Sequence, residues 1–231
     1  MSTSPSPRAT SLANPPIKTV LCLAAMASPS FAHATDDDIE FWFNPTVSVA
    51  LDEDTTVKLE TAQRFRRESQ GRPDTYFFRL WAMQRGAKGR TLGGARERRI
   101  IDGRRDEIRS MQQAEGRYGV ARMRLRLEQR FAQGSGGRMG LRVRARIGAD
   151  IPLNGQETWF FSPDIESFIT LRNSSPGGDI GKSEMRTQIA VAHKVSENLK
   201  IKAGYLMQYD LEQRDVDTVG HAPIVGIHFK F

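Results

Sequence analysis

The chain has 231 residues, 39% hydrophobic, 8% aromatic and 26% charged, with 34 basic against 27 acidic side chains and a formal net charge of +7. A membrane-spanning helix needs about 18 or more consecutive apolar residues. The longest such run, near Val20 to Ala27, is far shorter, which excludes a multi-span helical protein. Twenty glycines and eleven prolines are near average usage, so collagen-like and low-complexity disordered chains are excluded as well.

The first 34 residues read as an export leader. Arg8 and Lys18 precede a short apolar stretch from Thr19 to Ala27, and Ala32-His33-Ala34 supplies the small-x-small pattern of a cleavage site. Cleavage there predicts a mature domain over residues 35–231 and removes both bases, leaving 32 basic against 27 acidic groups, a net of +5. It also removes Cys22, the only cysteine, so the exported part is expected to hold no disulfide and no thiolate metal site. The residues before Cys22 match a lipoprotein cleavage site poorly, and no lipid anchor is expected.

From Ile39 onward apolar residues recur at every second position, the period of strands rather than helices. Strands are predicted over residues 39–51, 55–66, 74–85, 89–98, 106–118, 120–131, 138–150, 157–171, 184–195, 199–210 and 219–231. The clearest is the stretch in which Ala121, Met123, Leu125, Leu127 and Phe131 alternate with Arg122, Arg124, Arg126, Glu128 and Arg130. The next strand repeats it, with Leu141, Val143, Ala145 and Ile147 opposed to Arg142, Arg144 and Arg146. Arg90 to Arg98 fits least well, because Arg90 and Arg96 share a face with Leu92. Most predicted strands run about 10 to 13 residues, twice the length typical of soluble strands and close to the 9 to 11 that cross a bilayer at a tilt.

Connections alternate between short ones, such as Tyr118-Gly119, and longer ones, such as Asn173 to Glu184. That asymmetry is expected of a transmembrane barrel. Aromatic residues in Phe41-Trp42-Phe43, Tyr76-Phe77-Phe78, Trp159-Phe160-Phe161 and Tyr205 with Tyr209 are expected to form interfacial girdles. In hydrocarbon every backbone polar group must be paired within the protein, so extended chain crosses only as a closed barrel. The fold class expected is therefore all-β, an antiparallel transmembrane β-barrel of about 10–12 strands in the outer membrane. The alternative is a soluble secreted β-sandwich binding protein. Bacterial single-chain barrels have even strand numbers, so the count of eleven predicts that one strand is to be merged or split, with Pro45 and Pro163 as candidate break points.

The chain ends Pro223-Ile-Val-Gly-Ile-His-Phe-Lys-Phe231, with Val225, Ile227, Phe229 and Phe231 on one face. This terminus resembles the C-terminal assembly signal of Gram-negative outer-membrane barrels, which implies the barrel-assembly machinery as a partner. The succession FWFNPTVSVAL, DTYFFRLWAMQR, RYGVARMRLRLEQRF, GLRVRARIGADIPLNGQE and GHAPIVGIHFKF resembles the outer-membrane family known as domain of unknown function 2490, over about Phe41 to Phe231. The resemblance implies an architecture and carries over no catalytic residue.

The candidate site is the interior. Arg122, Arg124, Arg126, Arg130, Arg142, Arg144 and Arg146 are expected to line it, with Glu115, Glu128, Asp164 and Glu166 as acidic partners. These groups either interlock as ion pairs or leave a cationic passage for a small anionic solute, as basic rings do in pores. An outer-membrane lipid-modifying enzyme is the other class, with Ser174 or Ser175 and His221 as the pair to test, but no enzyme activity is expected. Outer-membrane lipid is an expected partner and nucleic acid is not. No cofactor is expected, and neither Asp36-Asp37-Asp38 nor Pro176-Gly177-Gly178-Asp179 supplies the six to eight oxygens a calcium ion takes.

Overall fold

Alternating side chains in extended backbone fall on opposite faces, so a chain with this pattern separates its apolar and charged residues only as sheet. The computed structural model describes residues 36–66, 73–103, 106–175, 178–211 and 218–231, and those residues contain strands and no helix. In chain order they are β1 (Asp36–Ala50), β2 (Thr55–Arg66), β3 (Thr75–Arg85), β4 (Arg90–Ile101), β5 (Glu107–Tyr118), β6 (Ala121–Ala132) and β7 (Gly140–Ala149). Two short strands, β8 (Ile151–Pro152) and β9 (Trp159–Phe161), follow, and then β10 (Asp164–Arg172), β11 (Gly181–Lys194), β12 (Leu199–Asp210) and β13 (Thr218–Lys230). The leader, residues 1–34, lies outside the described residues.

Each long strand pairs antiparallel with the next, β7 passes to β10, and β13 returns to β1 to close a barrel of eleven crossing strands. The expected even count does not hold. An antiparallel ring with an odd number of members must contain one pair running the same way, and here it is β1 and β13, parallel from Asp36↔Thr218 to Ser48↔Lys230. The weak fourth strand is separate and full length. The segment predicted over 157–171 does break beside Pro163, but its pieces β9 and β10 lie end to end along β11, so together they cross once.

Tight turns link the strands at one mouth, except between β7 and β10, where the longer connection carries β8 and β9. Tyr118 and Ala121 pair across a two-residue connection in which Gly119 takes φ 55°, a conformation side-chain-bearing residues seldom adopt. Between β1 and β2 the Asp52 carboxylate accepts the amide hydrogens of Asp54 at 2.9 Å and Thr55 at 2.6 Å, which hold its pKa below the ordinary carboxylate value. Longer connections occupy the opposite mouth.

The outer wall is apolar over most of its circumference: Val47, Leu59, Leu80, Leu125, Ile147, Ile165, Ile189 and Ile201 are all exposed. Near the long-loop mouth Phe41 stacks on Phe65 at 6.1 Å, and Phe65 meets the Tyr76 ring edge-on at 6.5 Å. Their neighbours Trp42 and Phe77 correct the girdle expectation, because both are buried inside the barrel. Runs such as FWF put aromatics on both faces at once, so adjacency carries no information about side.

Candidate functional site

Strands β3 to β7 and β10 turn toward the interior a continuous alternation of acids and arginines. Arg79 reaches Glu60 at 2.6 Å and also pairs with Glu97; Arg109 joins Glu97 at 3.0 Å to Glu107 at 2.9 Å, and Arg130 closes on Glu107 at 2.6 Å. A second chain runs beside it. Glu128 holds Arg142 at 2.7 Å and Arg144 at 2.8 Å, and Glu166 holds Arg144 at 2.9 Å and Arg124 at 2.5 Å. Asp164 takes Arg146 at 2.6 Å and Arg122 at 3.5 Å. Gly148 makes this last cluster fit, since a Cβ there would stand 2.7 Å from the Asp164 Cβ and 2.8 Å from the Pro163 oxygen.

The structure therefore brings together all seven predicted arginines and three of the four predicted acids. Arg126 differs from the others. It is buried and bonded to the Gln113 amide oxygen at 2.7 and 3.0 Å, and it lies 4.7 Å from the Trp81 ring centroid. Glu115 faces inward and accepts from Gln113 at 2.9 Å, with no arginine bonded to it among the described residues. Glu60, Arg79, Glu97, Glu107 and Arg109 belong to the same lattice, and the alternation in their strands put them on the polar face.

The aromatic members of the interior were not legible in the sequence. Trp42, Phe77, Trp81 and Phe168 are buried among the guanidinium groups. Arg64 lies 3.8 Å from the Trp42 ring centroid and 4.7 Å from that of Phe77; Arg186 lies 4.9 Å from Trp42 and 4.6 Å from Phe168. A cation over an aromatic face is held by the ring quadrupole without being neutralised. Arg64 makes no ion pair among the described residues, and its Nε is buried without a partner.

The other half of the wall is looser. On β12, β13, β1 and β2 the inward positions include Lys200, Lys202, Gly226, Asn44, Thr46, Ala62 and Arg64, which line a cavity of about 820 Å³. Its lining extends from Pro73 and Ile101 near the long-loop mouth to Arg117 and Asp150 near the tight-turn mouth. Sixteen lysines and arginines and six carboxylates line it, because Glu40, Glu97, Glu107 and Glu128 sit behind the arginines they hold.

Within that half the register places Lys200 in the row of His228 and Thr46, Lys202 in the next row with Gly226 and Asn44, and Arg64 in the row of Trp42 and Ile224. None of these three cations forms an ion pair among the described residues. Beside Lys200, the Ser48 hydroxyl and His228 Nε2 are 2.7 Å apart.

The lipid-enzyme pair is not assembled. His221 stands on β13 against the Tyr205 hydroxyl, while Ser174 and Ser175 follow β10, three strands away across β11 and β12. Asp36, Asp37 and Asp38 open β1, with side chains outside the described residues, as are Pro176 and Gly177. No group of three or more metal-ligating side chains occurs among the described residues. Val225, Ile227, Phe229 and Phe231 share the outer face at the tight-turn end, with Phe229 and Phe231 exposed.

A family model described as a protein of unknown function (DUF2490) matches residues 39–218. The chain belongs to this family. Its description names no activity. No curated protein matches the sequence. Among solved structures the chain is similar to the KdgM porin in complex with disordered oligogalacturonate, at 8% identity and a TM-score of 0.46, over 78% of this chain and 94% of that one.

Proposed function

We propose that the protein is an exported, non-enzymatic outer-membrane barrel whose interior passes small anionic solutes. The observation that carries this reading is the succession of Lys200, Lys202 and Arg64 in adjoining rows of one wall, none in an ion pair among the described residues, beside a cavity whose lining reaches both mouths. Rings of basic side chains select anions in pores, and a charge held in low dielectric without a counter-ion attracts one strongly. The apolar outer wall supports contact with lipid, since it leaves large aliphatic side chains uncovered over most of its circumference. On this reading residues 1–34 are the export leader, and Val225, Ile227, Phe229 and Phe231 engage the barrel-assembly machinery.

A second reading, a charge-filled structural barrel, is favoured by the Glu97 and Glu128 lattices, which occupy the opposite half of the interior. Single-channel recording in planar bilayers separates the two. Unitary currents with anion preference are expected. No current, or cation preference, would remove the passage reading and leave the structural one.

A further inference from the structure

Arg96 is, with Arg90, a residue that the alternation failed to accommodate, and the structure gives it an unusual place. It is the seventh of twelve residues in β4, it faces outward, and it is exposed. Its register neighbours are Leu80 on β3 and Ser110 on β5. The next outward arginine, Arg98, is neutralised at the rim by Asp106 at 2.8 Å. Arg96 has no bonding partner among the described residues. An arginine turned to lipid at mid-height costs about 2 to 4 kcal/mol.

The polar surface does not stop at Arg96. Ser110 pairs across to Gln129 on β6, and Gln112 and Gln129 exchange amide hydrogen bonds at 3.3 and 3.0 Å on the outside of the barrel. Small residues Gly94, Ala114 and Gly116 share that outer face of β4 and β5. The wall of β4 to β6 thus carries at mid-height a polar strip of Arg96, Ser110, Gln112 and Gln129, bordered on the same strands by the exposed Leu92, Ile108, Leu125 and Phe131.

We propose that this strip is the contact by which the barrel pairs with a second copy of itself. The argument is self-complementarity. A two-fold axis along the membrane normal, lying just outside β5 in front of Ser110, sets β4 of each copy against β6 of the other. Each Arg96, a donor with no acceptor of its own, then faces Gln129 of the partner subunit, whose amide oxygen retains a free lone pair. Strands about 4.8 Å apart and tilted by about 40° leave these two residues about 6 Å apart in height, which an extended arginine side chain spans. No aspartate or glutamate faces outward from the middle of a strand among the described residues, so the amide is the acceptor this chain offers.

The inference rests on the membrane reading but not on anion passage. Its test uses the protein in native membranes with Cys22→Ser and one introduced cysteine. Oxidation of Ser110→Cys is expected to give a covalent product of twice the chain mass. Ile189→Cys on β11, well round the wall, is expected to give none. Without cysteines, Arg96→Leu and Gln129→Leu are each expected to turn the detergent-solubilised dimer into a monomer that still migrates as a folded barrel when unheated. Equal cross-linking at both positions, a cross-linked product of another mass, or a wild-type protein already monomeric would overturn the pairing. Failure of the unheated protein to migrate differently from the boiled form would instead strike the membrane reading.

Discussion

The guanidinium of Arg64 lies against the indole of Trp42, 3.8 Å from its centroid, with the Phe77 ring on another side at 4.7 Å. Stacking holds the group in place without an ion pair among the described residues, whereas Arg144 a few strands away is bonded to two carboxylates. The same residue type therefore does two jobs in one interior, and the difference is testable.

Replacing Arg64 by glutamine removes a cation without disturbing the ion-pair lattice. The anion-to-cation permeability ratio, read from the reversal potential in a salt gradient, is expected to fall. Lys200→Gln and Lys202→Gln are expected to lower it further when combined. An unchanged ratio in the triple variant would show that these groups do not face the conducting path.

Glu128→Gln has the opposite character. Glu128 is 0% exposed and holds both Arg142 and Arg144, so neutralising it strands buried positive charge. Breaking a buried pair by removing one partner costs about 3 to 5 kcal/mol. Urea unfolding in lipid vesicles should show a loss of that size. Glu115→Gln, which releases no bonded arginine, should lose far less.

The outer wall yields a third expectation. Leu125 is 57% exposed at the middle of β6, between Arg124 and Arg126, which point inward. Leu125→Arg should destabilise the folded state in lipid by about 2 to 4 kcal/mol. A soluble sandwich would tolerate an exposed arginine there with little change, so the same measurement also tests the membrane reading.

Sidedness follows from the connections. A cysteine at Gly103, in the longer connection after β4, should react with an impermeant maleimide on intact cells. One at Lys88, in the tight turn before β4, should react only after the outer membrane is opened. The reverse pattern would invert the orientation.

Much of this architecture was legible because side-chain period two is set by the backbone and survives without tertiary context. Strand limits in β2, β5, β6 and β12 lie within a residue or so of the predicted ones. Closure was legible from the need to pair every backbone group, but the parallel seam was not, because the pairing of β1 with β13 joins segments far apart in sequence, which no local pattern relates. The alternation in β6 and β7 puts their arginines on one face, where the structure pairs Arg124, Arg142 and Arg146 with carboxylates. Which of them are neutralised was not legible, since partners such as Glu166 for Arg124 lie 42 positions away and are fixed only by the register of three strands. Lys200 and Lys202 stood on the predicted polar face, yet nothing in sequence showed that they form no ion pair among the described residues. Trp42 and Phe77 were misplaced because flanking aromatics on the other face hid their period.

The like-directed seam between the first and last strands has a topological consequence. The start of β1 and Phe231 leave through opposite ends of the cylinder, so no short linker can join them. Joining Phe231 to the start of β1 would require a tether as long as the cylinder is tall, and β13 has to find β1 alongside rather than by folding back.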